Sequence, residues 1–161
     1  MLKTQTKANF DKTFIKSLKI AIVRTTYHRE MVENLETYAK DMLIEAGLRE
    51  KNIQTFIAPG SWEVPLLAQA VAKKGKFDAI IAFGVIVKGE TYHFEMLANE
   101  VGRALMQLSI DYSLPIAMEI LAVFDKKHAQ ERAGKNNKNK GIEAANAVLQ
   151  TLQELKKITA K

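Results

Sequence analysis

The chain has 161 residues, a length typical of one domain with a substantial hydrophobic core. It has no cysteine, which excludes disulfides, thiolate catalysis and cysteine-ligated metals, and its three histidines stand too far apart for a known metal motif. No apolar run is long enough to span a membrane, and residues 1–19 lack the apolar centre of a signal peptide. We therefore expect a cytoplasmic protein without a metal.

The formal net charge is +6, and the excess lysines lie mainly at the two ends and in residues 135–140. No aromatic residues interleave with the lysines of that segment, as they often do in nucleic-acid-binding surfaces. We interpret these lysines as a solvated surface and expect neither nucleic acid nor a membrane as a partner.

Strand and helix patterns alternate along the chain. The first half predicts a strand at 18–25, an amphipathic helix at 29–46 and a strand at 53–58. Pro59 and Gly60 break that strand, and Ser61 is predicted to cap the next helix, at 62–74. The second half predicts a strand at 79–87, a helix at 92–112, a strand at 114–123 and helices at 125–133 and 141–156.

Strands that alternate with helices of this length favour a parallel sheet with helices on both faces. We expect an α/β fold, a three-layer sandwich around a four-stranded parallel sheet, formed by a single domain at residues 18–158. Residues 1–17 are too polar for a core strand. We expect them to form a basic N-terminal arm that is either disordered or added to a neighbouring subunit's sheet.

Residues 84–93 are the most informative segment, because they join a buried strand to a helix through a glycine-containing turn. Free backbone N–H groups and the helix dipole at such a turn favour an anion, and the Thr91 hydroxyl adds a donor. His93 follows, and imidazole exchanges protons near neutral pH. The segment indicates chemistry on a phosphorylated small molecule.

Ligands of open α/β sheets bind beyond the carboxyl ends of the strands. Here those ends carry the segments 25–28, 60–63 and 85–93, which together hold two aromatic rings, a carboxylate, a phosphate-type loop and a histidine. Their convergence predicts one composite site.

At these segments the chain resembles the lumazine synthase family of riboflavin biosynthesis, over roughly residues 20–155. The motifs that carry the resemblance are Pro59–Glu63, Phe77–Ile81, Gly84–His93, Arg132–Gly134 and the segment from Asn139 to Ala145. The resemblance implies a flavodoxin-like fold and a homopentamer, in some members assembled into a decamer or an icosahedral shell, with active sites at subunit interfaces.

The implied reaction joins 5-amino-6-(D-ribitylamino)uracil to 3,4-dihydroxy-2-butanone 4-phosphate. A Schiff base forms, phosphate leaves, and ring closure gives 6,7-dimethyl-8-ribityllumazine. No metal or organic cofactor is implied.

Carried over by position, His93 is the proton-transfer residue of this reaction, and Tyr27 stacks on the uracil ring. Ser61, Trp62 and Glu63 hold the ribityl chain, while backbone groups of Val85–Val87 bind the pyrimidine.

The phosphate is implied to meet Glu90, through its N–H, and Thr91. Arg132 of the adjacent chain pairs with it, and Lys140 adds further positive charge. Met118 stands where the neighbouring subunit contributes an apolar wall, usually a phenylalanine. His28 stands where the family often has asparagine, and Lys88 where it often has arginine. These departures bear on affinity more than on reaction type.

Structural roles remain open for several of these residues. Trp62 and Tyr27 are also compatible with packing roles inside the protein. Glu90 is also typical of a carboxylate in the first turn of a helix, which the helix dipole stabilises. Arg132 is also typical of a solvated helix surface. Two other functions share the architecture: a riboflavin synthase of the archaeal type, and a flavin- or lumazine-binding protein without turnover. The phosphate-type loop argues against the first, and the intact His93, Glu63 and Arg132 argue against the second. A receiver domain would need clustered acidic residues after the first strand, where this chain has residues 24–27, Arg-Thr-Thr-Tyr.

Overall fold

The computed structural model describes residues 9–160. Its strands are β1 (Ile20–Thr25), β2 (Ile53–Ala58), β3 (Ala79–Val87) and β4 (Ile116–Val123). Its α-helices are α1 (Lys12–Ser17), α2 (Arg29–Glu45), α3 (Val64–Lys74), α4 (His93–Asp111), α5 (Lys126–Ala133) and α6 (Lys140–Thr159), and short 3-10 turns cover Glu50–Asn52 and Ser61–Glu63.

The four strands form one parallel sheet in the order β2-β1-β3-β4. This confirms the predicted α/β class and the three-layer arrangement. β1 and β3 are central and almost wholly buried, so every side chain from Ala79 to Ile86 is apolar or glycine. β2 and β4 are the two edge strands.

Each face of the sheet has its own hydrophobic core. On one face, Ile20, Ile22, Ile81 and Phe83 pack with residues of α1, α2, α5 and α6. On the other face, alternate residues of the same strands pack with α3 and α4. The period of two along a strand divides its side chains between the two cores.

Helix α6 packs very closely against α2 at Gly141. A Cβ atom at this position would lie 2.1 Å from the backbone oxygen of Leu35, so only glycine fits without movement of a helix. This contact fixes the beginning of α6, where Lys140 lies.

Residues 12–17 differ from the expectation for the N-terminal arm. They form α1, which Asp11 caps by accepting hydrogen bonds from the N–H groups of Thr13 and Phe14. Ile15 is fully buried in the first core, so this segment packs on its own sheet. Residues 1–8 lie outside the described residues, and the division at residue 18 stays a prediction.

The predicted capping by Ser61 is wrong. Gly60 precedes the 3-10 turn, α3 follows it without any side-chain cap, and Ser61 itself is buried. Its side chain packs on the central strand β3, and this tertiary contact replaces the local hydrogen bond that the sequence suggested.

Candidate active site

The carboxyl edge of the sheet brings together the segments that follow β1, β2 and β3. Thr25 lies opposite Ala58, and the Thr26 hydroxyl donates to the Pro59 carbonyl oxygen at 3.0 Å, which ties the first two segments. Tyr27 therefore lies next to the segment that contains Trp62. The predicted convergence of these segments is found in the structure.

Ser61 and Gly84 connect the β2 segment to β3. A Cβ on Gly84 would lie 3.1 Å from Ser61 Oγ, 3.2 Å from Thr25 Cγ2 and 3.3 Å from Ile120 Cγ2. The missing side chain of Gly84 thus makes room for the Ser61 hydroxyl at the sheet. Ser61 is only 7% exposed, so only a small part of its surface is accessible to a substrate.

Glu63 turns back over its own loop. One of its carboxylate oxygens would lie 3.1 Å from a Cβ on Gly60, so the glycine leaves space for it. The side chain is half-buried and lies at the beginning of α3. The carboxylate therefore has a fixed place at the edge, where it can accept hydrogen bonds from hydroxyl groups.

Aromatic rings at this edge are exposed to an unusual degree. Tyr27 is 68% exposed, Trp62 55% and Tyr92 74%. Side chains of this size gain free energy when they are covered, so three exposed rings around one edge indicate a binding surface. For Trp62 and Tyr27 this exposure favours the pocket interpretation over internal packing.

The loop at 88–92 leads into α4, and His93 is the first residue of that helix. No side chain caps the helix N-terminus, so its first N–H groups are available for an anion. Glu90, Thr91 and His93 are all exposed, and within residues 9–160 the His93 ring has no hydrogen-bond partner. Val85, Ile86 and Val87 form the end of β3 immediately before the loop.

Met118 lies on β4, two residues before Ile120. It stands in the middle of the edge strand β4, opposite Ala82, and is 44% exposed. Its sulfur would lie 3.5 Å from a Cβ on Gly102 of α4. Trp62 belongs to the 3-10 turn after β2, and the neighbouring Ser61 packs on β3 near Ile120 of β4.

Lys140 lies on the β4 side of the molecule as well. Its ammonium pairs with the Glu143 carboxylate, one turn further along α6. The neighbouring Glu119 of β4 is mostly buried, and this burial raises the pKa of its carboxyl to about 7, with Lys140 opposing and Glu143 adding to the rise. Sequence reasoning missed Glu119, whose only signal is a carboxylate in a largely apolar strand.

Arg132 is exposed on α5, the helix that follows β4. Its guanidinium donates to the His128 carbonyl oxygen at 3.1 Å, and among the described residues it has no carboxylate partner. The charge is therefore available to an anion. The structure thus places Met118 on β4, Arg132 on α5 and Lys140 at the beginning of α6, while the other predicted residues lie on the segments that follow β1, β2 and β3 and at the end of β3.

A family model for 6,7-dimethyl-8-ribityllumazine synthase matches residues 17–156. The match covers all of these residues and all four strands. The chain belongs to the lumazine synthase family. Two curated proteins named 6,7-dimethyl-8-ribityllumazine synthase, from Acidovorax sp. (strain JS42) and Acidovorax ebreus (strain TPSY), are each 35% identical to it over 153 residues. Each alignment covers 95% of this chain and 97% of the relative.

This membership confirms the family predicted from the sequence, and with it an enzyme of riboflavin biosynthesis that acts on small molecules. Individual residue roles are not tested by the match and stay predictions. In the described part of the chain, no three side chains of the metal-binding types cluster, and no helix is long and apolar enough to cross a membrane.

Proposed function

We propose that the carboxyl edge binds both substrates of the lumazine synthase reaction and that His93 moves the protons. The observation that carries this proposal is the free His93 ring beside an uncapped helix N-terminus and exposed aromatic rings. A proton carrier, an anion site and a stacking surface are the three elements that this condensation requires.

The chemistry has three stages. The 5-amino group of the pyrimidine adds to the ketone of the butanone phosphate, and loss of water gives a C=N bond. A proton then leaves the carbon next to the C=N bond as the phosphate C–O bond breaks, and the resulting enol becomes a ketone. The ribitylamino nitrogen closes the ring on this ketone with loss of a second water.

His93 is proposed to accept and return protons during these stages. A positioned acid–base group contributes about 10²–10⁴-fold to such steps. Charge grows on the phosphate as it leaves, so donors that are already in place lower the barrier. The N–H of Glu90, the hydroxyl of Thr91 and the guanidinium of Arg132 are the proposed donors, and Lys140 adds positive charge. The Glu90 carboxylate would then point away from the phosphate.

The pyrimidine is proposed to stack on Tyr27 and to meet the backbone of Val85, Ile86 and Val87. The ribityl hydroxyls lie along Ser61, Trp62 and Glu63, where the Glu63 carboxylate accepts hydrogen bonds. The open, solvent-facing position of the rings supports this arrangement, because a flat heterocycle would cover them.

We propose further that copies of the chain assemble head to tail into a homopentamer in the cytoplasm. Met118 and Arg132 of one copy would then complete the carboxyl edge of the next. Heterologous contacts between opposite edges generate rings when the rotation closes. The β2 and β4 edges on opposite sides of the sheet support such contacts. A decamer or an icosahedral shell would be a further assembly of these rings.

An assay without any added cofactor tests the function. Purified protein is mixed with both substrates, and lumazine absorbance and phosphate release are followed together. Equal amounts of the two products are expected. Absence of both products, together with tight binding of riboflavin or the ribityl-pyrimidine, would contradict the proposal and favour a binding protein.

A further inference from the structure

Lys88 lies at the junction between β3 and the phosphate-type loop, and its contacts reach three elements. Its backbone N–H donates to the Val123 carbonyl oxygen at 2.9 Å, which extends the pairing of β3 with β4 by one residue. Its ammonium lies 2.7 Å from Glu95 Oε1 in the first turn of α4. The same ammonium lies 5.2 Å from the centre of the Phe124 ring.

Phe124 is itself anchored. Its ring centre lies 5.8 Å from that of Phe94, which is only 9% exposed and belongs to the second core. Phe124 is nevertheless 73% exposed, so little of its position comes from burial. A cation above the ring and a second ring beside it are the contacts that hold it.

These contacts connect the two ends of the loop at 89–92. Lys88 directly precedes the loop. Glu95 lies after the loop, two residues beyond His93 along α4. The ammonium lowers the pKa of the Glu95 carboxyl by hydrogen bonding, so the ion pair is present at neutral pH. Within the loop itself, Gly89 to Thr91 are exposed and Gly89 has open space around its Cα. The loop therefore depends on its ends for its shape.

We infer that Lys88 is a positioning residue, which together with Glu95 and Phe124 holds the phosphate-type loop in the shape that binds the phosphate of the butanone substrate. The inference rests on the proposed function of that loop. It assigns Lys88 no contact with phosphate, because its ammonium is already occupied by a carboxylate and a ring. Sequence reasoning registered Lys88 only as a retained positive charge.

Two explanations of Lys88 make opposite predictions. If Lys88 held the loop, loss of any one of the three side chains would weaken phosphate binding. If Lys88 bound phosphate directly, Glu95→Gln would release the ammonium and strengthen binding. A positioning role also predicts that the effects of the substitutions on binding are not additive. If the side chains act as one unit, removal of a second one should add little to the loss caused by the first.

The experiment compares the KM of both substrates in Lys88→Met, Glu95→Gln, the double variant and Phe124→Ala. Ion pairs and cation–π contacts of this exposure are weak individually, so we expect KM for the butanone phosphate to rise by about three- to tenfold. KM for the pyrimidine should change by less than about twofold. The double variant should be no worse than Lys88→Met, and inhibition by inorganic phosphate should weaken in parallel.

Lys88→Arg and Phe124→Tyr are the rescue variants, because each keeps the contacts and should retain the wild-type KM. Lys76→Met, at the opposite end of the sheet, is the control for loss of a surface charge. If the wild-type enzyme forms lumazine, an unchanged KM in Lys88→Met or stronger phosphate binding in Glu95→Gln would overturn the inference. A wild-type enzyme without turnover would instead contradict the proposed function.

Discussion

Met118 and Trp62 expose large apolar side chains from different elements: Met118 lies in the middle of the edge strand β4, and Trp62 lies in the 3-10 turn that follows β2. Both side chains are about half exposed, at 44% and 55%. A partner that covers these two side chains would gain hydrophobic free energy. Contact between the β4 side of one copy and the carboxyl edge of the next would cover both.

His93→Ala is expected to lower kcat for lumazine formation by about 10²–10⁴-fold, because the proposed proton carrier is lost. The His93 ring has no internal hydrogen-bond partner within residues 9–160, so folding should be unaffected. His128→Ala, at an exposed position of α5, is the matched control and should keep the wild-type kcat. Steady-state kinetics on both variants, with circular dichroism to check the fold, measures this. A wild-type kcat in His93→Ala would remove the residue from the mechanism.

Gly141→Ala is expected to destabilise the fold by about 1–2 kcal/mol, although alanine has the higher helix propensity. The gain in propensity is about 1 kcal/mol. A Cβ placed 2.1 Å from the Leu35 backbone oxygen forces α2 and α6 apart, and overpacking of this kind usually costs more than that gain. Gly89→Ala is the control, because nothing lies within 4 Å of its added Cβ.

Urea unfolding of both glycine variants, at one protomer concentration, measures the two free energies. Gly89→Ala should stay within about 0.5 kcal/mol of the wild type. Equal stability of Gly141→Ala and the wild type would show that the helix contact is looser than the structure indicates.

Glu119→Gln is expected to change how stability depends on pH. Burial raises the pKa of the Glu119 carboxyl from its ordinary value of 4.5 to about 7, so the folded state prefers the protonated form. The stability contributed by this group is complete below pH 4.5 and is lost as the pH rises to about 7, because the unfolded chain binds fewer protons there. The loss is at most about 3.5 kcal/mol, at about 1.4 kcal/mol for each unit of pKa.

The glutamine variant has no charge to bury, so its stability relative to the wild type should increase between pH 4.5 and 7. Thermal unfolding at both ends of this range gives the difference. Glu50→Gln, at an exposed position, controls for the loss of a surface carboxylate and should show the same small change at both pH values. A pH-independent difference for Glu119→Gln would mean that its carboxyl is solvated in the assembled protein.

The sequence was most informative where burial is uniform. β2 and β3 were predicted to the residue, because apolar runs between turn residues mark buried strands. Helix α1 was missed because it has only six residues, of which Ile15 alone is buried. The cap role of Ser61 failed because packing against Gly84 decided its position.

The candidate site was predictable in its parts and less so in its arrangement. Motifs along the chain identified the segments at the carboxyl edge, because strand order along a parallel sheet places those ends together. The contacts of Lys88 with Glu95 and Phe124 join residues from separate elements, and no local pattern marks them. The position of Met118 on an edge strand depends on the strand order, which periodicity alone does not give.

His28 illustrates how backbone geometry can explain a departure from the family. Its φ of 50° lies in the left-handed region, at the residue before α2. Asparagine and histidine both adopt this conformation more readily than most residues, so histidine suits the turn in place of the asparagine that the resemblance implies. Histidine here retains the turn with some strain.

The most direct test of a site shared between copies is complementation between His93→Ala and Arg132→Ala. Each variant alone should be nearly inactive, the first through lost proton transfer and the second through weak binding of the phosphate-bearing substrate. The two variants are unfolded together in equal amounts and refolded, and mass spectrometry verifies mixed assemblies. In a head-to-tail ring, about a quarter of the sites then receive His93 from one copy and Arg132 from the next.

The account predicts that the mixture regains about a quarter of the wild-type turnover. A mixture of His93→Ala with the double variant His93→Ala/Arg132→Ala is the control and should stay inactive, because no site contains His93. Mixed assemblies that are no more active than the separate variants would contradict the account, since His93 and Arg132 would then have to act from the same chain.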